Sequence, residues 1–157
     1  MFKTIIWATD GSETADGALS FAQALAACDG GKLVVVHSNE LLVGRAYGYP
    51  LFADEEDLEA KIREQVDELK AEGVDVSLEL VTGVATSAAH MISETAHKVG
   101  ADVIVVGTRG HGPIASVLVG SVTQRLLHIA PCPVLAVPTA KQRGLTDRKR
   151  EHAATAR

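Results

Sequence analysis

Residues 102–138 have the sequence DVIVVGTRGHGPIASVLVGSVTQRLLHIAPCPVLAVP, and this stretch decides the fold. It opens with the apolar run 103–106, whose β-branched residues predict a strand buried on both faces. Four glycines follow it, at Gly107, Gly110, Gly112 and Gly120. Ser121 stands three residues before Gln124, which is the S-x-x-Q form of a capping box and predicts a helix start. The stretch therefore predicts a strand, a glycine-rich loop, a helix and a final strand flanked by prolines.

A glycine-rich loop that leads into a helix has a chemical meaning. The helix N-terminus carries unsatisfied backbone N–H groups and a partial positive charge. Glycines in front of it allow a ligand to approach the backbone, and the usual ligand is a phosphate. The Ser121 hydroxyl could cap the helix in the free protein or donate to a phosphate oxygen in the bound one. The alternative is an ordinary capped loop, since short glycine motifs are weak evidence alone.

The spacing of these residues resembles a known family. Gly107, Gly110, Gly120 and Ser121 fit the pattern G-x2-G-x9-G-[ST], which is similar to the ATP-binding branch of the universal stress protein family. The flanks resemble it as well, namely the first strand running into ATDGS at residues 8–12, the second strand at 33–37 and the last at 133–138. The resemblance covers residues 1–138.

The resemblance implies a site for ATP, with Mg²⁺ bound through the phosphates. The residues that it assigns to nucleotide binding are Ala8, Thr9, Asp10, Ser38, Val106, Gly107, Arg109, Gly110, Gly120, Ser121 and Val122. Asp10 would face the ribose or a metal, and the backbone at Ser38 would meet the adenine. Backbone N–H groups from Gly110 and from residues 120–122 would hold the phosphates. Arg109 and His111 share the loop, and surface exposure is an equally good interpretation of both.

The rest of the chain alternates between strands and helices. Strands are predicted at residues 3–9, 33–37 and 74–81, and helices after Asp10 and over residues 54–72 and 86–99. This order predicts a single-domain α/β fold, a Rossmann-like open parallel five-stranded sheet with helices on both faces. The resemblance implies the strand order 3-2-1-4-5. Polar residues alternate with apolar ones in strand 3, which also favours an edge position.

The last strand poses a problem at the opposite edge. Its residues Val134, Leu135, Ala136 and Val137 are all apolar, and an exposed apolar edge strand favours aggregation. Pairing with a second copy would remove the hazard. The resemblance also implies dimerisation through this strand, so we expect a homodimer.

Composition sets further bounds. The 157 residues with a net charge of −5 indicate one domain, residues 1–138, and argue against a nucleic-acid binder. Residues 139–157 carry six basic and two acidic side chains and are predicted to form a flexible, charged tail. Cys28 and Cys132 lie too far apart in sequence to suggest a metal site, which favours two reduced thiols. No apolar run could span a membrane, so we expect a soluble cytoplasmic protein.

Three histidines, one long segment and one acidic run remain to be interpreted. His37, His90 and His97 are assigned no chemistry. The segment 39–53 is predicted to be a loop whose tyrosines, Tyr47 and Tyr49, either cover a bound base or pack on the surface. The acidic run 54–57 is interpreted as a solvated helix start that complements the helix dipole.

The resemblance implies a nucleotide-dependent stress-response regulator or sensor with an unidentified protein partner. The sequence contains no clear general base, no P-loop lysine and no paired acidic metal ligands, so any ATP hydrolysis should be slow. One alternative is a nucleotide-independent dimeric interaction module, and another is a binder of a different adenine nucleotide such as cyclic AMP. An enzyme of related fold ranks last, because it needs a glycine-rich loop after strand 1, and residues 10–12 offer a single glycine.

Overall fold

A computed structural model describes residues 2–41, 52–84, 87–108 and 119–138. Within these ranges the chain forms five strands and four helices in strict alternation. They are β1 (Thr4–Ala8), α1 (Glu13–Asp29), β2 (Lys32–Leu41), α2 (Phe52–Ala71), β3 (Val76–Val84), α3 (Ala88–Val99), β4 (Val103–Gly107), α4 (Ser121–Ile129) and β5 (Val134–Val137).

The strands form one parallel sheet in the order β3-β2-β1-β4-β5, as predicted. Side chains of a strand alternate between the two faces of a sheet, and two hydrophobic clusters result. Ile5 and Trp7 pack with residues of α1 and α2 on one face, whereas Ile6 and Ala8 pack with residues of α3 and α4 on the other. The expectation of helices on both faces is therefore confirmed.

Trp7 ties α1 to the central strand. It is the largest of the fully buried side chains, and its indole Nε1 donates to the carbonyl oxygen of Ala15 over 2.9 Å. The helix turns small residues toward the sheet, and these buried residues are Ala15, Ala18, Ala22 and Ala26. Because the alanine side chain is small, α1 can pack close to β1. Its first turn is thereby held at the carboxyl edge of the sheet.

β2 and the segment after it differ from the prediction. Backbone pairing with β3 continues beyond the apolar run, through Asn39 with Thr82 to Leu41 with Val84. The loop predicted at residues 39–53 is therefore too long at both ends. Its first residues belong to β2, because backbone pairing does not require apolar side chains. Its last residues belong to α2, which begins at Phe52. Residues 42–51, with Tyr47 and Tyr49, lie outside the described part of the chain.

Asp102 secures the opposite, amino edge of the sheet. Its Oδ2 accepts hydrogen bonds from the backbone N–H groups of Lys3, over 2.6 Å, and Thr4, over 2.9 Å. The bonds from Thr4 and then Lys3 lower the pKa of this carboxyl below its ordinary value of 3.8. Cys132 is a half-buried free thiol whose pKa is raised, first by burial and then by the charge of Asp102.

The outer surface of α2 is polar. This helix is 20 residues long and carries charged side chains along that surface. Within the four described ranges, no helix combines the length and the apolar character needed to cross a membrane.

Candidate functional site

The candidate site lies where β1 and β4 end beside each other. Ala8 pairs in register with Val106 of β4 and, on its other side, with Val36 of β2. The chain leaves β1 toward one face of the sheet and β4 toward the other, which makes this the topological switch point of the fold. Open α/β sheets bind ligands at that point. We call residues 9–12, Thr108 and residues 120–122 the switch-point site.

The β1–α1 loop is held by its own side chains. Asp10 Oδ1 accepts from the Ser12 backbone N–H over 3.1 Å and from the Ser12 hydroxyl over 2.6 Å. The Ser12 hydroxyl oxygen in turn caps α1 by accepting from the Ala15 N–H over 3.3 Å. Gly11 adopts a φ of 73°, which an L side chain rarely tolerates. Asp10 thus orients the helix cap, while its role toward a ribose or a metal remains a prediction.

The connection from β4 to α4 is closed by a backbone hydrogen bond. The Gly120 N–H donates to the Thr108 carbonyl oxygen over 2.6 Å. Gly120 is extended, at φ −66° and ψ 157°, and is itself the N-cap, so α4 begins at Ser121. The predicted capping box is therefore wrong. The bond to Thr108 fixes Gly120 as the last extended residue, which places Ser121 one position inside the helix.

This arrangement changes which N–H groups could meet a phosphate. A glycine N-cap has no side chain, and α4 accordingly has no side-chain cap. The N–H of Gly120 is bonded to the Thr108 carbonyl oxygen in this structure, so its part in holding a phosphate stays a prediction. Within the described chain, the first-turn donors that remain from the predicted set are those of Ser121 and Val122. Ser121 is exposed and Val122 is half-buried.

Thr123 was missed by the sequence analysis. Its hydroxyl donates to the Gly107 carbonyl oxygen over 2.8 Å in a buried setting. This bond ties the first turn of α4 to the end of β4 and so positions the helix N-terminus. The sequence does offer one signal for Thr123. It precedes Leu126 by three residues, which places both on the same face of a helix, and both are buried in α4.

Gly107 has a structural explanation of its own. A Cβ built on it would lie 2.8 Å from Thr14 Cγ2 and 2.9 Å from the Thr14 carbonyl oxygen. Such separations are too short for real side chains, so α1 and β4 require a glycine here whether or not a ligand binds. A contact between Gly107 and a ribose stays a prediction.

His37 and Glu55 form a pair beside the site that the sequence analysis did not predict. His37 is 4% exposed and its Nδ1 lies 2.9 Å from the Thr9 carbonyl oxygen. Its Nε2 lies 2.7 Å from Glu55 Oε1. The acidic run was interpreted as solvated, but Glu55 within it contacts His37. The two residues are 18 positions apart and meet only when α2 packs on the sheet, so no local spacing reveals the contact.

Most of the predicted nucleotide-binding residues come together at this edge. The structure brings together Ala8, Thr9, Asp10, Val106, Gly107, Gly120, Ser121 and Val122, with Ser38 one strand away on β2. Arg109 and Gly110 lie outside the described residues. Among the residues that are described, no three or more His, Cys, Asp or Glu side chains are grouped to hold a metal ion. His90 and His97, which the sequence analysis assigns no chemistry, are exposed.

The fold and the site define a doubly wound α/β protein whose candidate ligand site is at the β1/β4 switch point. Residues 1–138 match the model of the universal stress protein family, and the chain belongs to that family.

Individual relatives agree with this assignment. A universal stress protein of Thermus aquaticus, named for the QAH/OAS sulfhydrylase 3′ region, is 39% identical over 145 residues, covering 87% of this chain and 99% of that one. A universal stress protein solved in complex with cAMP is 28% identical with a TM-score of 0.66, over 87% of this chain and 97% of that one. The structure of a universal stress protein from Archaeoglobus fulgidus is 25% identical with a TM-score of 0.68, over 87% and 98%.

Proposed function

We propose that this protein binds ATP at the switch-point site and acts as a nucleotide-dependent regulator or sensor in a stress response. The observation that carries the proposal is the start of α4 at the end of β4, the strand that pairs with β1. There the helix has a glycine N-cap without a side-chain cap, and the exposed Ser121 follows it. Uncapped first-turn N–H groups and the helix dipole together favour a bound phosphate.

A second candidate ligand is cyclic AMP. The relative that was solved with cAMP covers 87% of this chain and supports an adenine nucleotide in general. Both ligands present an adenine and at least one phosphate, so Ser38 and residues 121–122 would serve either. The number of phosphates is the difference that a binding experiment must resolve.

The residues fit a nucleotide that brings its own metal. The described site offers one carboxylate, Asp10, whose Oδ1 already binds Ser12. Mg²⁺ bound at the site would therefore keep phosphate oxygens and water as its main ligands, which this cation prefers. No pair of carboxylates at the site is arranged to orient an attacking water, and we expect ATP turnover to be slow.

The direct test begins with the protein as purified. Denaturation followed by chromatography and mass spectrometry identifies any nucleotide that was carried along. Calorimetric titrations with ATP in Mg²⁺ and with cyclic AMP then compare the two ligands. Binding of ATP supports the proposal, and a preference for cyclic AMP supports the second candidate. If neither binds, the glycine loop is structural and a nucleotide-independent dimeric module becomes the better interpretation.

A charge variant locates the site. Ser121→Glu adds a negative charge in the first turn of α4, where it favours the helix dipole but repels a phosphate. We expect ATP affinity to fall by about tenfold or more without loss of stability. Ala24→Glu is the matched control, because it adds the same charge on the exposed second half of α1. Equal affinities for the two variants would mean that the phosphates bind elsewhere.

We also propose that the protein is a homodimer joined through β5. This strand is at the edge of the sheet, and Leu135 within it is 36% exposed. Leu127 of α4 is exposed as well, at 55%. An apolar edge of this kind is protected when a second copy pairs with it. A cytoplasmic location and a regulatory protein partner complete the proposal.

A further inference from the structure

We infer that His37 and Glu55 are positioning residues that hold the Thr9–Asp10 wall of the switch-point site and thereby link nucleotide affinity to the first turn of α2. The inference rests on the proposed nucleotide site. It concerns two side chains that do not belong to the glycine motif.

The geometry of His37 defines what the pair does. A carbonyl oxygen only accepts hydrogen bonds, so Nδ1 donates to Thr9. Nε2 lies 2.7 Å from a carboxylate oxygen of Glu55, within hydrogen-bond distance. The His37 side chain is 6% exposed and the Glu55 side chain 27% exposed. A hydrogen bond that is shielded from water in this way is stronger than an exposed one, so it restrains the ring.

This bond completes the support of the Thr9 backbone. The Thr9 N–H donates to the Val36 carbonyl oxygen over 2.9 Å, and its carbonyl accepts from His37, so β2 holds the peptide groups on both sides of this residue. The Thr9 hydroxyl oxygen accepts from the Gly11 N–H over 3.1 Å. The position of Thr9 therefore determines where the loop through Asp10 begins its turn into α1.

α2 reaches the same loop at two further points. Lys61 Nζ donates to the Gly11 carbonyl oxygen and to Asp16 Oδ2, each over 2.9 Å. Leu58 packs so closely under Gly11 that a Cβ on the glycine would lie 2.0 Å from Leu58 Cδ1. Glu55, Leu58 and Lys61 follow one another along one side of the helix, at spacings of three residues. The helix thus contacts the wall of the site through three successive positions.

A physical link of this kind is reciprocal. If the first turn of α2 favours one position of the Thr9–Asp10 wall, a nucleotide that needs the same position stabilises that turn. A partner that contacts the outer surface of α2 would then alter nucleotide affinity, and the nucleotide would alter the partner's affinity by the same factor. The His37–Glu55 bond is more buried than the ion pair that Lys61 of α2 makes with Asp16.

Paired substitutions of His37 separate the two hydrogen bonds. The side-chain amide nitrogen of asparagine can occupy a position near that of Nδ1, and the amide nitrogen of glutamine a position near that of Nε2. His37→Asn should keep the donor to Thr9 but lose the contact with Glu55, and it should weaken ATP binding about fivefold. His37→Gln should keep the contact with Glu55, lose the contact with Thr9, and weaken ATP binding about tenfold.

Glu55 is tested against its neighbour in the same turn. Glu55→Ala removes the carboxylate that holds the ring and should weaken ATP binding about fivefold. Glu56→Ala removes the same charge from an exposed position and should leave affinity unchanged. All titrations are run well below the unfolding temperature of each variant, so that a loss of stability alone does not lower the affinity.

Hydrogen exchange of the free protein supplies a second readout. The amides of Gly11 and Ser12 should exchange faster in His37→Gln and Glu55→Ala than in Glu56→Ala. If the wild type binds no nucleotide, the proposed function fails, and this exchange pattern still decides whether the pair holds the wall. Unchanged exchange in His37→Gln and Glu55→Ala would overturn the inference. So would affinities equal to that of Glu56→Ala.

Discussion

Gly107 and Thr14 are in contact across the interface between β4 and α1, and the contact leaves no room for a Cβ on residue 107. The carbonyl oxygen of Thr14 would lie 2.9 Å from such an atom and its Cγ2 2.8 Å away. Gly107, the first glycine of the G-x2-G-x9-G-[ST] pattern, is thus required by the packing of α1 on the sheet. Its presence in the sequence is not by itself evidence of a ligand.

Gly107→Ala should destabilise the fold, because the backbone of Thr14 cannot move aside as a flexible side chain could. We expect a loss of about 1–3 kcal/mol in the free energy of unfolding, the usual cost of overpacking. Urea unfolding followed by circular dichroism measures it. Gly73→Ala is a useful comparison, since its φ of 83° is unfavourable for alanine but no atom lies within 4 Å of the new Cβ. A smaller loss for Gly107→Ala than for Gly73→Ala would contradict the packing argument.

Thr123 rather than Ser121 should carry the stability of the α4 start. Thr123→Val keeps the shape but removes the buried bond to Gly107, at a cost of about 1–3 kcal/mol from the unsatisfied carbonyl. Ser121→Ala should change stability by less than about 0.5 kcal/mol, since the residue is exposed and is not the N-cap. Thr123→Ser, which retains a hydroxyl, should recover part of the loss. The reverse ranking of the threonine and serine variants would restore the capping-box interpretation.

Trp7 should be a large contributor to stability and a natural reporter of it. Trp7→Phe leaves a cavity and removes the bond to Ala15, and we expect a loss of about 2–4 kcal/mol. Circular dichroism follows the variant, because Trp7 is the single tryptophan of the chain. In the wild type its emission should shift to the red on unfolding. Phe21→Leu, at a 38% exposed position, is the control and should cost much less.

Asp102 should give the protein a pH-dependent increment of stability. The N–H groups of Thr4 and Lys3 lower its pKa in the native state below 3.8, so folding favours the carboxylate. The stabilisation is fully present above the pKa of the unfolded chain and is lost as the pH falls toward the lowered native pKa. Asp102→Asn should therefore be less stable than the wild type at neutral pH.

The difference between Asp102→Asn and the wild type should shrink as the solution is acidified below pH 3.8. Thermal unfolding at a series of pH values measures it, with the exposed Asp75→Asn as control. A gap that stays constant across this range would show that the contribution of Asp102 does not depend on its charge.

The dimer proposal predicts that the outward backbone groups of β5 are needed for association. The carbonyls of Pro133 and Val137 accept bonds from β4, so the intervening Val134 and Ala136 direct their polar backbone groups away from it. Ala136→Pro removes one outward N–H and should raise the dimer dissociation constant by at least about tenfold. Ala136→Val keeps that N–H and should remain dimeric. Size-exclusion chromatography with light scattering distinguishes these states, and a monomeric wild type would disprove the proposal.

The layers could be predicted because strands and helices alternate along the sequence. The strand order was implied by the family resemblance, and the alternating polarity of β3 agrees with its edge position. The ends of α1 follow common residue preferences. Gly30 ends the helix in the left-handed region at φ 60°, and Ser12 caps its start.

The details of the site were less predictable, because they depend on contacts between residues distant in sequence. Ser121 has the spacing of a capping residue, yet the bond from Gly120 to Thr108 shifts the helix start by one position. His37 has no partner at any local spacing, and its contact with Glu55 requires α2 to be packed on the sheet. In both cases tertiary hydrogen bonds outweigh the local propensity that the sequence displays.

The bond between Gly120 and Thr108 has an implication for how this part of the chain can change over evolution. The bond joins backbone groups of the two residues, so the ends of the intervening segment lie next to each other. The number of residues in that segment is therefore not set by a distance that it must span. Lengthening a chain whose ends are already closed costs only about 0.6 kcal/mol per doubling of its length. Insertions or deletions between these two anchors should therefore leave the sheet and α4 in place, whereas a change that removes Gly110 is expected to weaken nucleotide binding.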